Sequence, residues 1–274
     1  MKKLKIIDAH CHIFPDAIAQ KATDSIDLFY GISKSGIIDK CAFVGTAENL
    51  IKQCGETGVE RCVVTSVATT PHHAQSINTY IAGEVQLHPD KFIGLGSLHP
   101  DSATLEADTE HLIESGLHGV KLHPDIQNFK VDDPKVIRIF EICNKNRLPV
   151  LLHTGDIRYD NSNPERVEKI LKMFPDLTII GAHFGGWSLW EEAYPTLSQY
   201  DNFYVDTCSS FYALSKETTT KIIDAYGTDK VIFGTDYPMW KQQEDLEYLF
   251  DLGLNDSELR SILYNNILKV LRID

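Results

Sequence analysis

Several hallmarks of other protein classes are missing from this 274-residue sequence. No stretch approaches the roughly 18 consecutive apolar residues of a membrane-spanning helix. The first residues, MKKLKIIDAH, hold neither the apolar core nor the small-residue cleavage site of a signal peptide. The six cysteines are scattered and form no Cys-x-x-Cys pair, which argues against a zinc ribbon or a disulfide framework. We therefore expect a cytoplasmic protein with reduced cysteines.

Basic side chains are in the minority, with 26 Lys and Arg against 39 Asp and Glu, and the formal net charge is −13. Such a surface repels phosphate backbones and anionic lipids, so we expect neither a nucleic-acid nor a membrane partner. An anionic small-molecule substrate remains compatible, because a metal ion or a local Lys or Arg can reverse the field inside a cleft. The expected partners are therefore a small-molecule substrate and, in a homodimer, a second copy of the chain.

Short apolar runs recur along the chain, each followed by a polar or glycine-containing stretch and then a helical pattern. Eight runs occupy residues 4–13, 61–67, 92–98, 119–124, 149–155, 177–185, 203–210 and 231–238. From the second run onward their starts are 31, 27, 30, 28, 26 and 28 residues apart, close to the roughly 30 residues of one βα unit. The pattern predicts one α/β domain over residues 1–274, a single (β/α)8 TIM barrel; a doubly wound open sheet is the alternative.

Helices are predicted between the runs from the spacing of apolar residues, at residues 47–57, 76–87, 105–115, 134–146, 164–174 and 216–225, with a last helix at 256–272. Residues 14–46 break the rhythm because they separate the first two runs by a much longer gap. We interpret this segment as an elaborated loop over the barrel mouth, and a surface decoration is the alternative.

Metal-binding residue types stand where the apolar runs end. His10 and His12 close the first run and share one face of a strand, because side chains alternate along a strand. His153, His183 and Asp236 close three later runs, each shortly before Gly or Pro. Active sites of (β/α)8 barrels lie at these strand ends, and a buried imidazole or carboxylate there needs a metal or another partner. Together the residues predict a metal site.

These strand ends resemble those of the amidohydrolase superfamily, specifically the amidohydrolase 2 branch that includes the aminocarboxymuconate-semialdehyde decarboxylase-like enzymes. The matching motifs are DAHCHIFP at 8–15, GVKLHP at 119–124, LLHTG at 151–155, GAHFGG at 181–186 and GTDYP at 234–238. The resemblance spans essentially the whole chain. It is specific for the superfamily and says little about the reaction.

The resemblance implies that His10, His12 and His153 are metal ligands, that Asp236 is both a ligand and a proton shuttle, and that His183 is a catalytic residue beside the metal. Three neutral imidazoles and a carboxylate leave room for a water molecule on Zn²⁺. We therefore expect one divalent metal ion per chain, with zinc as the first choice.

Two basic residues are candidates for substrate binding. The resemblance implies that Lys121 could be a carboxylated bridge between two metal ions, as in some branches of the superfamily, and its strand face, shared with His123, permits this. It could otherwise be a partner of a buried acid or a contact for an anionic substrate. We expect one metal ion per chain, and we expect Lys121 to contact the substrate. Arg158 follows the fifth run and is the best candidate for a clamp on a substrate carboxylate, because its planar fork matches two oxygens; a solvated loop arginine is the favoured description.

Three functions are compatible with this site. The first is a hydrolase that uses metal-activated water on a small amide, lactone or other carboxyl derivative. The second is a non-oxidative decarboxylase of a small unsaturated or aromatic acid. The third is a non-catalytic barrel, which the complete ligand set argues against. Residues 14–46 contain no arginine, so the substrate-clamping arginine of the decarboxylases has no match there, and hydrolysis is favoured.

Overall fold

A computed structural model describes residues 4–31 and 41–273. The paired strands in these residues all run parallel to their neighbours. The strands are β1 (Ile7–His12), β2 (Arg61–Thr65), β3 (Phe92–Gly94), β4 (Gly96–Ser97), β5 (Val120–Leu122), β6 (Val150–Leu152), β7 (Ile179–Gly181), β8 (Phe203–Asp206) and β9 (Val231–Ile232).

The strands close into a barrel. Their order is β1-β2-β3 in one sheet and β4 to β9 in the other. β3 and β4 are separated only by Leu95, so they form one barrel strand in two pieces. The last strand returns to the first, because the Ala9 N–H donates to the Phe233 carbonyl at 2.9 Å and the His12 N–H donates to the Tyr237 carbonyl at 2.7 Å. The predicted (β/α)8 barrel is confirmed, and the open sheet is excluded.

Helices follow the strands. They are α1 (Asp16–Tyr30), α2 (Ala47–Thr57), α3 (Ala74–Leu87), α4 (Leu105–Glu114), α5 (Pro124–Gln127), α6 (Pro134–Asn146), α7 (Pro164–Met173), α8 (Trp190–Leu197), α9 (Lys216–Tyr226), α10 (Gln242–Phe250), α11 (Asp256–Arg260) and α12 (Asn266–Leu271). Every helix predicted between the runs is present, with ends that differ by at most two residues. None of the helices in the described residues is long and apolar enough to cross a membrane.

Apolar faces hold the helices on the barrel. In α6, Val136, Ile139, Phe140 and Cys143 are fully buried, and their spacing places them on one side of the helix. The predicted helix at 256–272 contains a π-helical turn, Ser261–Asn265, between α11 and α12. Side chains of α12 join the apolar residues of the barrel interior in one cluster. This last segment therefore closes the barrel interior.

The segment at 14–46 differs from the loop interpretation, because residues 16–30 form the α-helix α1. Gly31 ends it in a left-handed conformation with φ 62°, and its N–H donates to the Asp27 carbonyl. Thr23 is buried, and its hydroxyl accepts a hydrogen bond from the Gly45 N–H at 3.0 Å. Residues 32–40 of the predicted loop lie outside the described residues. A helix, rather than a loop, lines the barrel mouth.

Candidate active site

Three of the four predicted metal ligands meet at one point. Ligand atoms of His10, His12 and Asp236 all lie within 4.8 Å of one another. His10 Nε2 is 3.2 Å from His12 Nε2, and His12 Nε2 is 3.3 Å from Asp236 Oδ1. β1 supplies both imidazoles from one strand face, as its alternation predicts. This group is a candidate metal centre.

Asp206 at the end of β8 orients His10. Its Oδ2 accepts a hydrogen bond from His10 Nδ1 at 2.8 Å, which leaves His10 Nε2 unprotonated and directed toward His12. Asp206 Oδ1 accepts from the backbone N–H groups of His183 and Cys208. Burial would raise the pKa of Asp206, but its contacts with His10 outweigh burial and lower that pKa to about 2. The carboxylate is therefore anionic at neutral pH and fixes the tautomer of a metal-ligand candidate.

His153 and His183 form a second pair beside this group. His183 Nδ1 donates to the Cys208 carbonyl at 3.2 Å, so His183 Nε2 is unprotonated, and it lies 2.9 Å from His153 Nδ1. Ligand atoms of His153 lie within 4.8 Å of those of His123 and Asp125 instead of joining the first group. All four predicted ligands thus line one cavity, but only three of them are in mutual ligand range.

Burial keeps these imidazoles neutral. It lowers the pKa of His12 to about 4 and the pKa values of His153 and His183 to about 3. Neutral imidazole is the form that binds a metal. His10 and His183 each direct an unprotonated nitrogen toward another ring nitrogen. These nitrogens and the carboxylate of Asp236 are donor groups of the kind that bind a divalent cation.

Asp236 is held in an uncommon backbone conformation. Its φ is 60°, in the left-handed region that non-glycine residues rarely adopt, and His183 has the same value. The Ser209 hydroxyl donates to Asp236 Oδ2 at 2.7 Å and accepts from Trp240 Nε1 at 2.8 Å. Burial opposes ionisation of Asp236, but the neighbouring imidazoles, led by His10, hold its pKa well below its usual range. The carboxylate is thus fixed in direction and ionised.

Lys121 points into the same centre from β5. Its side chain is 1% exposed, and Nζ lies 2.9 Å from His10 Nε2. Burial lowers its pKa. No ion pair joins Lys121 to a carboxylate of the described residues, so the predicted alternative of a buried acid partner is not found there. The amine faces the cavity.

Arg158 was a candidate for binding the substrate, but its guanidinium contacts other groups of the protein. Its Nη2 lies 2.7 Å from Asp156 Oδ2, and its Nη1 donates to the Phe29 carbonyl at 2.8 Å. The guanidinium carbon lies 5.2 Å from the Phe29 ring centre and 5.5 Å from that of Tyr30. Arg158 is not among the described residues that line the cavity. It connects the end of α1 to the segment after β6.

The cavity over the metal-ligand candidates has a volume of about 360 Å³. Its floor is polar and is formed by His10, His12, Lys121, His153, His183 and Asp236. The rest of its lining, which forms the wall, is mostly apolar and includes Phe14, Ile26, Phe29, Ile126 and Met239. A small ligand in this space would meet the floor with a polar group and the wall with an apolar body.

Sequence reasoning missed Tyr30, Asp125 and Ser209. The Tyr30 hydroxyl lies 2.8 Å from His123 Nε2, so α1 contacts the end of β5. Asp125 is two residues beyond His123, and Ser209 closes the run that contains Asp206. Each is close in sequence to a strand end, which is the signal that could have identified Asp125 and Ser209. Tyr30 had no such signal.

A family model described as amidohydrolase matches residues 7–273. The chain belongs to the amidohydrolase family. The match covers nearly the whole sequence, which confirms the resemblance found in the strand-end motifs. The protein is therefore an enzyme of the amidohydrolase superfamily.

Relatives of this amidohydrolase include 2-amino-3-carboxymuconate-6-semialdehyde decarboxylase of Dictyostelium discoideum, with 25% identity over 205 residues. The alignment covers 60% of this chain and 56% of that protein, so the chain spans little more than half the length of this curated relative.

Two solved structures share the fold. An uncharacterised TIM-barrel protein from Bordetella bronchiseptica has 24% identity and a TM-score of 0.81, covering 98% of this chain and 99% of that one. The 5-carboxyvanillate decarboxylase of Novosphingobium aromaticivorans, in complex with manganese and 4-hydroxy-3-methoxy-5-nitrobenzoic acid, has 16% identity and a TM-score of 0.74, covering 98% and 96%. At these identities the likeness establishes the barrel fold.

Proposed function

We propose that this amidohydrolase is a metal-dependent, non-oxidative decarboxylase of a small unsaturated or aromatic acid. The observation that carries the proposal is the division of the cavity into a polar floor, with Lys121 and the metal-ligand candidates, and an apolar wall. An acid with a flat apolar body suits both surfaces. The decarboxylases among the relatives support this reaction over the hydrolysis that the sequence favoured.

Under this proposal His10, His12, His153 and Asp236 hold one divalent ion. His153 lies with His123 and Asp125, so its imidazole must approach the other three ligands when the ion binds. The ion would act as a Lewis acid that polarises an oxygen of the substrate. Zinc was the first choice from the sequence, and the manganese in the Novosphingobium structure makes manganese an equal candidate.

The protein's own groups have separate roles in this reaction. Lys121 binds the substrate carboxylate, because its amine faces the cavity and forms no ion pair with an acid of the described residues. When the bond between the ring or alkene carbon and the carboxylate breaks, carbon dioxide leaves and the electron pair stays on that carbon, which must then take a proton. Asp236 would relay this proton: its anionic carboxylate takes a proton from a water molecule in the cavity and, because its surroundings favour the anion, gives it up readily to that carbon. His183 orients the substrate.

The test compares substrates under metal control. Purified protein would be stripped with a chelator, reloaded with Zn²⁺ or Mn²⁺, and screened against hydroxybenzoates and unsaturated acids with carbon dioxide release as the readout, beside lactones and amides. We expect carbon dioxide release only in the reloaded protein. A double change of His10 and His12 to Ala should abolish both metal binding and turnover. Cleavage of lactones or amides without carbon dioxide release would instead support the hydrolase, and full activity in stripped protein would contradict the role of the metal.

A further inference from the structure

The short helix α5 places a carboxylate at a fixed point beside the metal-ligand candidates. Gln127 anchors this helix, because its Oε1 accepts from the His123 N–H at 2.8 Å and its Nε2 donates to the carbonyls of Ala68 at 2.9 Å and Leu98 at 2.8 Å. These contacts tie α5 to the ends of neighbouring barrel strands. Asp125, in the first turn of α5, is therefore held firmly.

Asp125 makes one hydrogen bond through Oδ1 and one close contact through Oδ2. Oδ1 accepts a hydrogen bond from Asn161 Nδ2 at 2.9 Å, and Oδ2 lies 3.2 Å from His153 Nε2. The side chains of His153 and Asp125 are 1% and 0% exposed. Neither Asp125 Oδ2 nor His153 Nε2 makes a hydrogen bond within the described residues, with each other or with a third group. An unpaired buried polar atom is costly, so these two atoms, 3.2 Å apart, gain free energy if a small side-chain rotation pairs them.

His153 can carry its proton on either ring nitrogen, and the two choices differ in consequence. A proton on Nδ1 would point at His183 Nε2, a neutral acceptor 2.9 Å away, and would prevent Nδ1 from binding a metal. A proton on Nε2 would lie beside the carboxylate of Asp125, whose Oδ2 is 3.2 Å from that nitrogen, and a small rotation of either side chain would complete the hydrogen bond. A hydrogen bond to an anionic acceptor is about twice as strong as one between neutral groups. The carboxylate therefore decides the tautomer.

We propose that Asp125 is a positioning residue that holds the proton of His153 on Nε2 and thereby leaves Nδ1 free to bind the metal. The inference rests on the proposed function, because that function takes His153 as a metal ligand. Asp206 acts on His10 in the same way, through Nδ1 instead of Nε2. Two carboxylates on opposite sides of the barrel mouth thus set the tautomers of two ligands.

A metal site formed by His123, Asp125 and His153 themselves is the competing explanation, because their ligand atoms lie within 4.8 Å of one another. The two imidazole rings, however, are stacked, with centres 3.9 Å apart and planes 10° from parallel. Lone pairs of imidazole nitrogens lie in the ring plane, so those of two stacked rings run side by side and do not converge on one ion. The stacking favours the positioning role.

The deciding measurement is the tautomer of His153 in metal-free protein. Long-range ¹⁵N–¹H correlation spectra of histidine-labelled protein report which nitrogen carries the proton, and a His153→Gln variant assigns the signals. We expect Nε2–H in the unchanged protein and Nδ1–H in Asp125→Asn. If the amide oxygen keeps the position that accepts from Asn161, the amide NH₂ replaces Oδ2 beside His153 Nε2 and donates to it. Asp156→Asn, which removes a buried carboxylate that binds Arg158 and no imidazole, should leave the tautomer unchanged.

Metal binding gives a second readout. In competition with a chelator, Asp125→Asn should bind Zn²⁺ about 10–100-fold more weakly and shift the visible spectrum of the Co²⁺-loaded protein. A proton on Nδ1 of His153 in the unchanged protein would overturn the inference, as would an Asp125→Asn variant with unaltered tautomer and affinity. Loss of a second ion would show that Asp125 is itself a ligand. Failure to bind any metal would contradict the proposed function but leave the tautomer measurement to decide the role of Asp125.

Discussion

Lys121 Nζ lies 2.9 Å from His10 Nε2 on the floor of the cavity. The contact joins a buried amine to a nitrogen that Asp206 keeps unprotonated, so the lysine donates and the imidazole accepts. Burial lowers the pKa of Lys121, and the nearby carboxylates of Asp236 and Asp206 oppose that effect without forming an ion pair with the amine. An anion that enters the cavity would therefore meet an amine that can donate to it beside the metal-ligand candidates.

Replacing Lys121 by Met should separate the two roles considered for this residue. If Lys121 meets the substrate carboxylate, the metal content stays at one ion per chain and KM rises about 10–100-fold, since a hydrogen bond to a charged group contributes roughly 1.5–3 kcal/mol. Elemental analysis and steady-state kinetics measure both quantities. Lys91→Met, at a surface position, is the control. A fall from two ions to one or none would instead identify a carboxylated, bridging Lys121.

Asp236→Asn should separate metal binding from proton transfer. The amide keeps an oxygen that can coordinate, so most of the metal should remain, but it cannot accept or deliver a proton. We expect kcat to fall by about two to four orders of magnitude. Metal analysis and single-turnover carbon dioxide release provide the comparison, and Ser209→Ala, which removes only the hydroxyl that orients the carboxylate, should have a smaller effect. Near-normal turnover in Asp236→Asn would make His183 the proton donor.

The barrel and its strand-end residues were accessible from sequence for a physical reason. Strands buried on both faces read as apolar runs, and each run stops where a polar side chain reaches the mouth, as at His153 and Asp236. Helix α1 was missed because residues 14–46 were interpreted as one long interruption of the strand–helix rhythm. Ala22, Ile26 and Phe29 follow one another at helical spacing and line the cavity, although Ile18 and Leu28 of the same helix are 52% and 78% exposed.

The partners of side chains could not be predicted in the same way. Arg158 was a candidate for substrate binding because it follows a strand end, but its guanidinium is shared between Asp156 and a carbonyl on α1, which is 129 residues away in sequence. His153 was predicted as a ligand with His10, yet it lies with Asp125 and His123. Such contacts depend on how helices and strands that are distant in sequence pack against each other. The residues near Arg158 or His153 in the sequence do not reveal this packing.

Arg158→Met should loosen the end of α1. The change removes the hydrogen bond to the Phe29 carbonyl and the contacts with the aromatic rings, so amide hydrogen exchange should quicken in residues 27–31. We expect KM to rise while kcat changes little, because α1 forms a wall of the cavity and lies apart from the metal-ligand candidates. Arg158→Lys retains the charge without the planar fork and should be intermediate. Unchanged exchange, combined with a loss of affinity limited to anionic ligands, would restore the substrate-clamp interpretation.

Asp245 should make the protein less stable as the pH rises. This residue of α10 is 8% exposed, and burial, assisted by the nearby charge of Asp8, raises its pKa well above its usual value. The folded state therefore retains a proton that the unfolded chain releases above about pH 4. The free energy of unfolding falls between that pH and the pKa of Asp245 in the folded protein.

Replacing Asp245 by Asn removes the ionisable group. Relative to the unchanged protein, the free energy of unfolding of Asp245→Asn should therefore increase by about 1.4 kcal/mol per pH unit over that window. Urea denaturation at pH 5, 6, 7 and 8, at constant chelator concentration, measures the difference. Glu244→Gln, at the exposed neighbouring position, should not reproduce the trend, and parallel stability curves for Asp245→Asn and the unchanged protein would show that Asp245 ionises freely in the fold.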